Sequence, residues 1–145
     1  MSAKNFFTNE QQERIMASIA AAERNTSGEV RVHIDDTCSA EVLDQAAKTF
    51  HRLKMDQTAL RNGVLFYLAV NDRKFAILGD QGINEKVPAD FWDTIKELMQ
   101  EYFKNAQFTE GLCRGIEMAG EKLKAHFPLQ DNDTNELQND VSFGN

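Results

Sequence analysis

The stretch Val64 to Val70, VLFYLAV, carries no charged or amide side chain. Side chains alternate between the two faces of a strand, so a run without polar alternation needs cover on both faces. It predicts a central strand with helices on either side. Asn71-Asp72 follows, then Arg73-Lys74 and a second apolar run, Phe75 to Leu78. Asn and Asp tolerate positive φ, so a tight hairpin is expected there. Upstream, Glu29 to Asp35 does alternate: Val30, Val32 and Ile34 on one face, Glu29, Arg31 and His33 on the other. That pattern predicts a half-buried strand near a sheet edge.

Helical periodicity fills the spaces between these runs. Thr8 and Gln11 read as a capping box ahead of Ile15, Met16, Ile19 and Ala20. Ser39 is the expected cap for a helix with the stripe Val42, Leu43, Ala46, Ala47, Phe50 and Leu53. Pro88 suits the first turn of a third helix that places Phe91, Ile95, Leu98 and Met99 inward. Thr109 is the expected cap of a fourth, with Leu112, Ile116 and Leu123 inward and Pro128 ending it. The sum is an α/β fold: a three-layer α/β/α sandwich, with a small mixed sheet flanked by about four helices. A right-handed crossover through the second helix would make the first two strands parallel. The expected domain is 1–128. Residues 129–145, polar and acidic, form an expected mostly irregular tail, docked by Leu137, Val141 and Phe143.

Composition narrows the function. The 145-residue length favours one domain, and 41% hydrophobic residues suffice for one core. The net charge of −7 would repel a phosphate backbone, so nucleic acid is not an expected partner. The same acidity suits cations. No apolar run reaches the roughly 18 residues of a membrane-spanning helix, and the N-terminus shows no signal-peptide pattern. Cys38 and Cys113 make neither a disulfide framework nor a zinc motif. These features together give a cytoplasmic expectation.

Strand direction sorts the polar residues onto two rims of the sheet. One gathers Glu29, Asn62 and Asp80, with Gln81 and Asn84 nearby; the GDQG loop lies here. Gly79 and Gly82 are expected to adopt backbone conformations closed to other residues. With the Asp80 carboxylate they make this rim the first choice for a hard cation, Ca²⁺ or Mg²⁺, with Zn²⁺ as a further candidate. The other rim gathers Asp35, Asp36 and Asp72 at the carboxyl ends of the strands, the alternative metal site. Asp131, Asp133 and Asn135 imitate an EF-hand loop, but Glu136 and Ser142 stand where glycine and glutamate are required.

Enzyme motifs are mostly absent. In a C-x5-R search, Asp44 and Ala119 occupy the arginine position. There is no P-loop, H-E-x-x-H or G-x-S-x-G, and GDQG is no dinucleotide fingerprint. His33 and His51 read as isolated, and His126 as a helix-end residue.

Three stretches taken together, GEVRVHI, RNGVLFYLAVNDRKFAILGDQGI and FTEGLCRGI, resemble the TPM domain family over roughly Phe7 to Phe127. The segments NEL and SFG near the end resemble those of a short, soluble bacterial subgroup. The family groups a thylakoid lumen acid phosphatase of photosystem repair with MOLO-type and membrane-associated bacterial proteins. The resemblance implies an α/β/α sandwich, divalent-metal binding and, from the plant members, acid phosphatase activity. Three readings follow. The favoured one is a non-catalytic divalent-cation-binding module, an accessory in protein assembly or repair. A metal-dependent acid phosphatase is the enzymatic alternative, with Arg61 or Arg73 facing the phosphate. A protein-interaction scaffold, with other proteins as partners, is the third.

Overall fold

The computed structural model describes residues 2–129 and 141–144. Helix α1 (Ala3–Phe6) and helix α2 (Asn9–Glu23) lead into strand β1 (Glu29–Asp35). Helix α3 (Val42–Arg52) carries the chain to β2 (Gly63–Ala69), which turns back into β3 (Lys74–Gly79). Then come the single-turn helix α4 (Gln81–Asn84), helices α5 (Asp93–Lys104) and α6 (Phe108–Leu123), and a last strand, β4 (Val141–Gly144).

The sheet order is β3-β2-β1-β4. Strands β1 and β2 are parallel, as are β1 and β4, while β2 and β3 are antiparallel. The small mixed sheet between helical layers is the expected α/β sandwich. Its layers are unequal: α2, α5 and α6 pack together over one face, and α3 packs against β2 and β3 on the other.

All residues of β2 are buried, as the apolar run requires. Val64, Phe66 and Leu68 join the core under α2 and α6, while Leu65, Tyr67 and Ala69 join the smaller core under α3. Each fully buried large side chain contributes about 1.5–3 kcal/mol relative to exposure. Burying both faces is what fixes this strand in the middle layer.

Several local expectations are corrected. β1 is central rather than at an edge, because β4 pairs along its other side, Val32 opposite Val141 through Asp35 opposite Gly144. On the polar face of β1, Glu29, His33 and Asp35 are buried and Arg31 is half-buried. The Thr8 capping box is present. Helix α3, however, is capped by Glu41, whose carboxylate accepts from the Leu43 and Asp44 amides, rather than by Ser39. Helix α5 begins after the Pro88 turn, not at it, and α6 opens at Phe108, which leaves Thr109 buried inside its first turn. In the β2–β3 hairpin the positive φ belongs to Arg73, at 53°, and to neither Asn71 nor Asp72. Val141 is buried and Phe143 half-buried, so both dock; Leu137 lies outside the described residues.

Candidate functional site

The amino rim collects the starts of β1 and β2 and the end of β3. Asp80 caps α4, accepting from the Gln81 amide at 2.8 Å. The same carboxylate takes two hydrogen bonds from Arg61: Nε to Oδ2 at 2.8 Å and Nη2 to Oδ1 at 3.0 Å. This is the planar fork that guanidinium and carboxylate form best. Arg61 has a φ of 50°, a backbone state that costs a side-chain-bearing residue about 1–2 kcal/mol. Its carbonyl is held by the Gly82 amide at 2.8 Å.

Gly82 is needed for that approach. A Cβ there would sit 2.6 Å from the Arg61 carbonyl oxygen and closer still to that of Leu60. Contrary to expectation, no glycine among the described residues has positive φ. The other first-choice residues hold the chain together. The Asn62 carbonyl accepts from the Glu29 amide at 3.2 Å, and its Nδ2 donates to the Ser27 carbonyl at 3.2 Å. Asn84 Nδ2 donates to the Gly79 carbonyl at 3.2 Å. A cleft of about 440 Å³ opens beside the clasp, with His51, Gln81, Asn84 and Glu85 on its walls.

The carboxyl rim is arranged differently. Asp35 points toward the α3 face, where its Oδ1 lies 2.7 Å from His33 Nε2 and its Oδ2 accepts from the Tyr67 hydroxyl at 2.5 Å. His33 Nδ1 in turn lies 2.6 Å from Ser142 Oγ. With Nε2 protonated toward Asp35, Nδ1 accepts from the serine, and every member of the string is satisfied. Arg52 Nη2 sits 3.4 Å from His33 Nε2, adding positive charge over Asp35.

Burial pushes the Asp35 carboxyl up, but the hydrogen bonds from His33 and Tyr67 outweigh it, so the group lies below its ordinary value. Burial and the adjacent Asp35 hold the Tyr67 phenol far above its usual range. This string links β1, β2 and β4. The sequence reading missed it, taking His33 as isolated. The signal was present in part, because His33 and Asp35 stand two apart on a strand and so share a face.

Asp36, next along the chain, turns to the opposite side and accepts from the Ala3 amide. Asp72 Oδ2 accepts from the Cys38 amide at 2.6 Å. Lys74 Nζ donates to the carbonyls of Cys38 and Ala40, at 3.0 and 3.3 Å. Cys38 is thus gripped at its N–H by a carboxylate and at its C=O by an ammonium.

Among the described residues no three His, Cys, Asp or Glu side chains converge to hold a metal ion. At the amino rim Asp80 is committed to Arg61 and Gln81, Asn62 Nδ2 donates to the Ser27 carbonyl, and Glu29 is buried at the start of β1. At the carboxyl rim the structure does not bring the three carboxylates together: Asp35 is enclosed, Asp36 accepts from the Ala3 amide on the opposite side, and Asp72 lies by the Cys38 and Ala40 carbonyls that hold Lys74. The EF-hand-like residues 131–136 lie outside the described residues.

A family model described as TPM domain matches residues 1–122. The chain belongs to the TPM domain family. Among solved structures, this TPM domain is similar to the BA42 protein of the psychrophilic bacterium Bizionia argentinensis. Identity is 48%, 97% of each chain is covered, and the TM-score is 0.92. The N-terminal domain of a P. gingivalis protein shares the fold at 19% identity, with 85% and 80% of the two chains covered and a TM-score of 0.68. That of the cg2496 protein from Corynebacterium glutamicum does so at 9% identity, with 94% and 80% covered and a TM-score of 0.62. A comparison with curated proteins finds no match. No helix among the described residues of this TPM domain is long and apolar enough to cross a membrane.

Proposed function

We propose that this TPM domain is a non-catalytic binding module that takes a hydrated divalent cation, Ca²⁺ or Mg²⁺, at the carboxyl rim, as an accessory in the assembly or repair of other proteins. Asp72 is the carboxylate that would face the ion, beside the carbonyl oxygens of Cys38 and Ala40. The observation that carries the reading is the seat of Lys74. Its ammonium rests on the carbonyl oxygens of Cys38 and Ala40, beside the Asp72 carboxylate on the Cys38 amide. This loop already turns hard oxygen donors toward one positive charge, and hard cations prefer such donors. The overall charge of −7 favours the same sign of ligand.

Catalysis has less support. A metal-dependent phosphatase needs converging carboxylates and a cation for the phosphate. Arg61 is turned onto Asp80, and the side chains of His33 and Asp35 are only 2% exposed.

Residue-resolved amide titrations with Ca²⁺, Mg²⁺ and Zn²⁺ test the reading, on the natural chain and on Lys74→Met. An ion at the carboxyl rim competes with the Lys74 ammonium. The variant should therefore bind more tightly, with shifts at Cys38, Ala40 and Asp72. Shifts confined to Asn62 and Gly79 to Asn84, or no saturable shift at millimolar ion, would end this choice of rim. Metal-dependent turnover of p-nitrophenyl phosphate, lost in Asp72→Asn, would replace the module with the phosphatase.

A further inference from the structure

A groove of about 610 Å³ lies on the face of the sheet opposite Cys38, between the hairpin and the α5–α6 turn. Its floor is Leu68, Phe75, Phe103 and Phe108, and its rim carries Arg73 and Lys104. The rings form a connected series. Phe75 meets Phe103 edge-on at 5.1 Å, Phe103 lies 5.6 Å from Phe108, and Phe108 meets Phe6 edge-on at 5.2 Å. The three floor phenylalanines are only half-buried. Two residues with positive φ shape the edges, Arg73 at 53° and Ala106 at 58°. Such states are uncommon for residues other than glycine. Here one bends the hairpin that carries Arg73, and the other bends the tight turn between Phe103 and Phe108.

We propose that this groove binds an acidic peptide segment of a partner protein, with an apolar side chain on the phenylalanine floor and flanking carboxylates on Arg73 and Lys104. Charge complementarity selects the partner. In a chain of net charge −7, the groove places two exposed cations at its rim. Among the described residues neither has an ion-pair partner within 4.0 Å. Aromatic residues and arginine are the side chains that dominate recognition surfaces. The open side of the groove suits a chain lying along it better than a small molecule, whose surface would need to be mostly enclosed. The rings line a concavity instead of projecting, a shape that receives a side chain rather than one that inserts into a bilayer. This inference stands apart from the cation reading, because the two sites use opposite faces.

The test uses the full chain and the probe acetyl-Glu-Phe-Asp-Leu-Glu-amide, followed by amide shifts. Saturable shifts at Arg73 to Phe75 and Lys104 to Phe108 are expected. Arg73→Glu combined with Lys104→Glu should weaken binding at least tenfold and favour the basic counterpart acetyl-Lys-Phe-Lys-Leu-Lys-amide. Both positions are exposed, and an unchanged spectrum elsewhere verifies the fold. Four results would overturn the proposal. Two are no saturable shift at millimolar peptide and binding indifferent to charge reversal. Another is co-sedimentation with phosphatidylglycerol vesicles in place of peptide binding. The fourth is the same amides shifting with protein concentration alone, which assigns the groove to a second copy of this chain.

Discussion

Arg61 closes on Asp80 through two parallel hydrogen bonds, 2.8 and 3.0 Å long, across the rim where the GDQG loop leaves the sheet. The carboxylate read from sequence as a metal ligand and the arginine read as a phosphate contact satisfy each other. Asp80→Ala removes both the α4 cap and the partner of Arg61. It should cost about 1–2 kcal/mol in urea unfolding, the range of a lost N-cap. Arg61→Ala should cost less, because its side chain is 42% exposed and solvent takes over part of the carboxylate's hydrogen bonding. Equal losses would mean that the ion pair, not the cap, holds the loop.

The depressed Asp35 carboxyl sets a pH dependence. The folded chain gives up this proton more readily than the unfolded chain, whose carboxyl keeps its ordinary value of 3.8. The stabilisation is therefore complete above that pH and is lost as pH falls through the lower folded value. Urea midpoints between pH 2 and 6 should show the loss, and Asp35→Asn should flatten it. At pH 7 that substitution should cost about 2 kcal/mol, since charge-assisted hydrogen bonds from His33 and Tyr67 become neutral ones.

Strand β4 is fastened to β1 by the Ser142–His33 contact and by the tight seat of Gly144. Ser142→Ala should cost about 1 kcal/mol and speed amide exchange along β1. Gly144→Ala should do more. Its Cβ would lie 2.8 Å from His33 Nε2 and closer still to Asp35 Oδ1, both of them buried and hydrogen-bonded. Exchange at Val32 and Ile34 measures the effect, and a smaller response from Gly144→Ala would show that β4 shifts freely.

Gly82→Ala should destabilise the chain by about 1–3 kcal/mol, the usual range for overpacking. The added carbon meets the carbonyls of Leu60 and Arg61, which are backbone and cannot rotate away. Gly28→Ala is the control, since its Cβ would come no closer than 3.4 Å to any atom. Calorimetric midpoints of the two variants compare them directly.

The two acidic rims differ in how much of them the sequence displayed. Strand directions, read from apolar runs, correctly place Asp80 and Asn62 together, because the antiparallel β2–β3 hairpin returns the end of β3 to the start of β2. The Arg61 clasp was not visible, since it depends on a left-handed φ at an arginine, which no local pattern announces. The separation of Asp35 from Asp36 was visible in principle. Neighbours on a strand point to opposite faces, and alternation alone forbids them from chelating together.

Sequence by itself determined the middle of this protein. An apolar run at every position of β2 must be covered on both faces, and period-3.6 stripes on the four longer helices supply the cover. Those patterns act over a few residues and are local. The tertiary structure decided what lies beside β1. Val141 to Gly144 is too short and too distant in the chain to declare itself a strand, yet pairing there covers His33 and Asp35 on the polar face of β1. That pairing turns His33, Asp35 and Ser142 into one hydrogen-bonded string. The physical reason is that a buried polar group must find its partners wherever the fold brings them, and these came from 109 residues away.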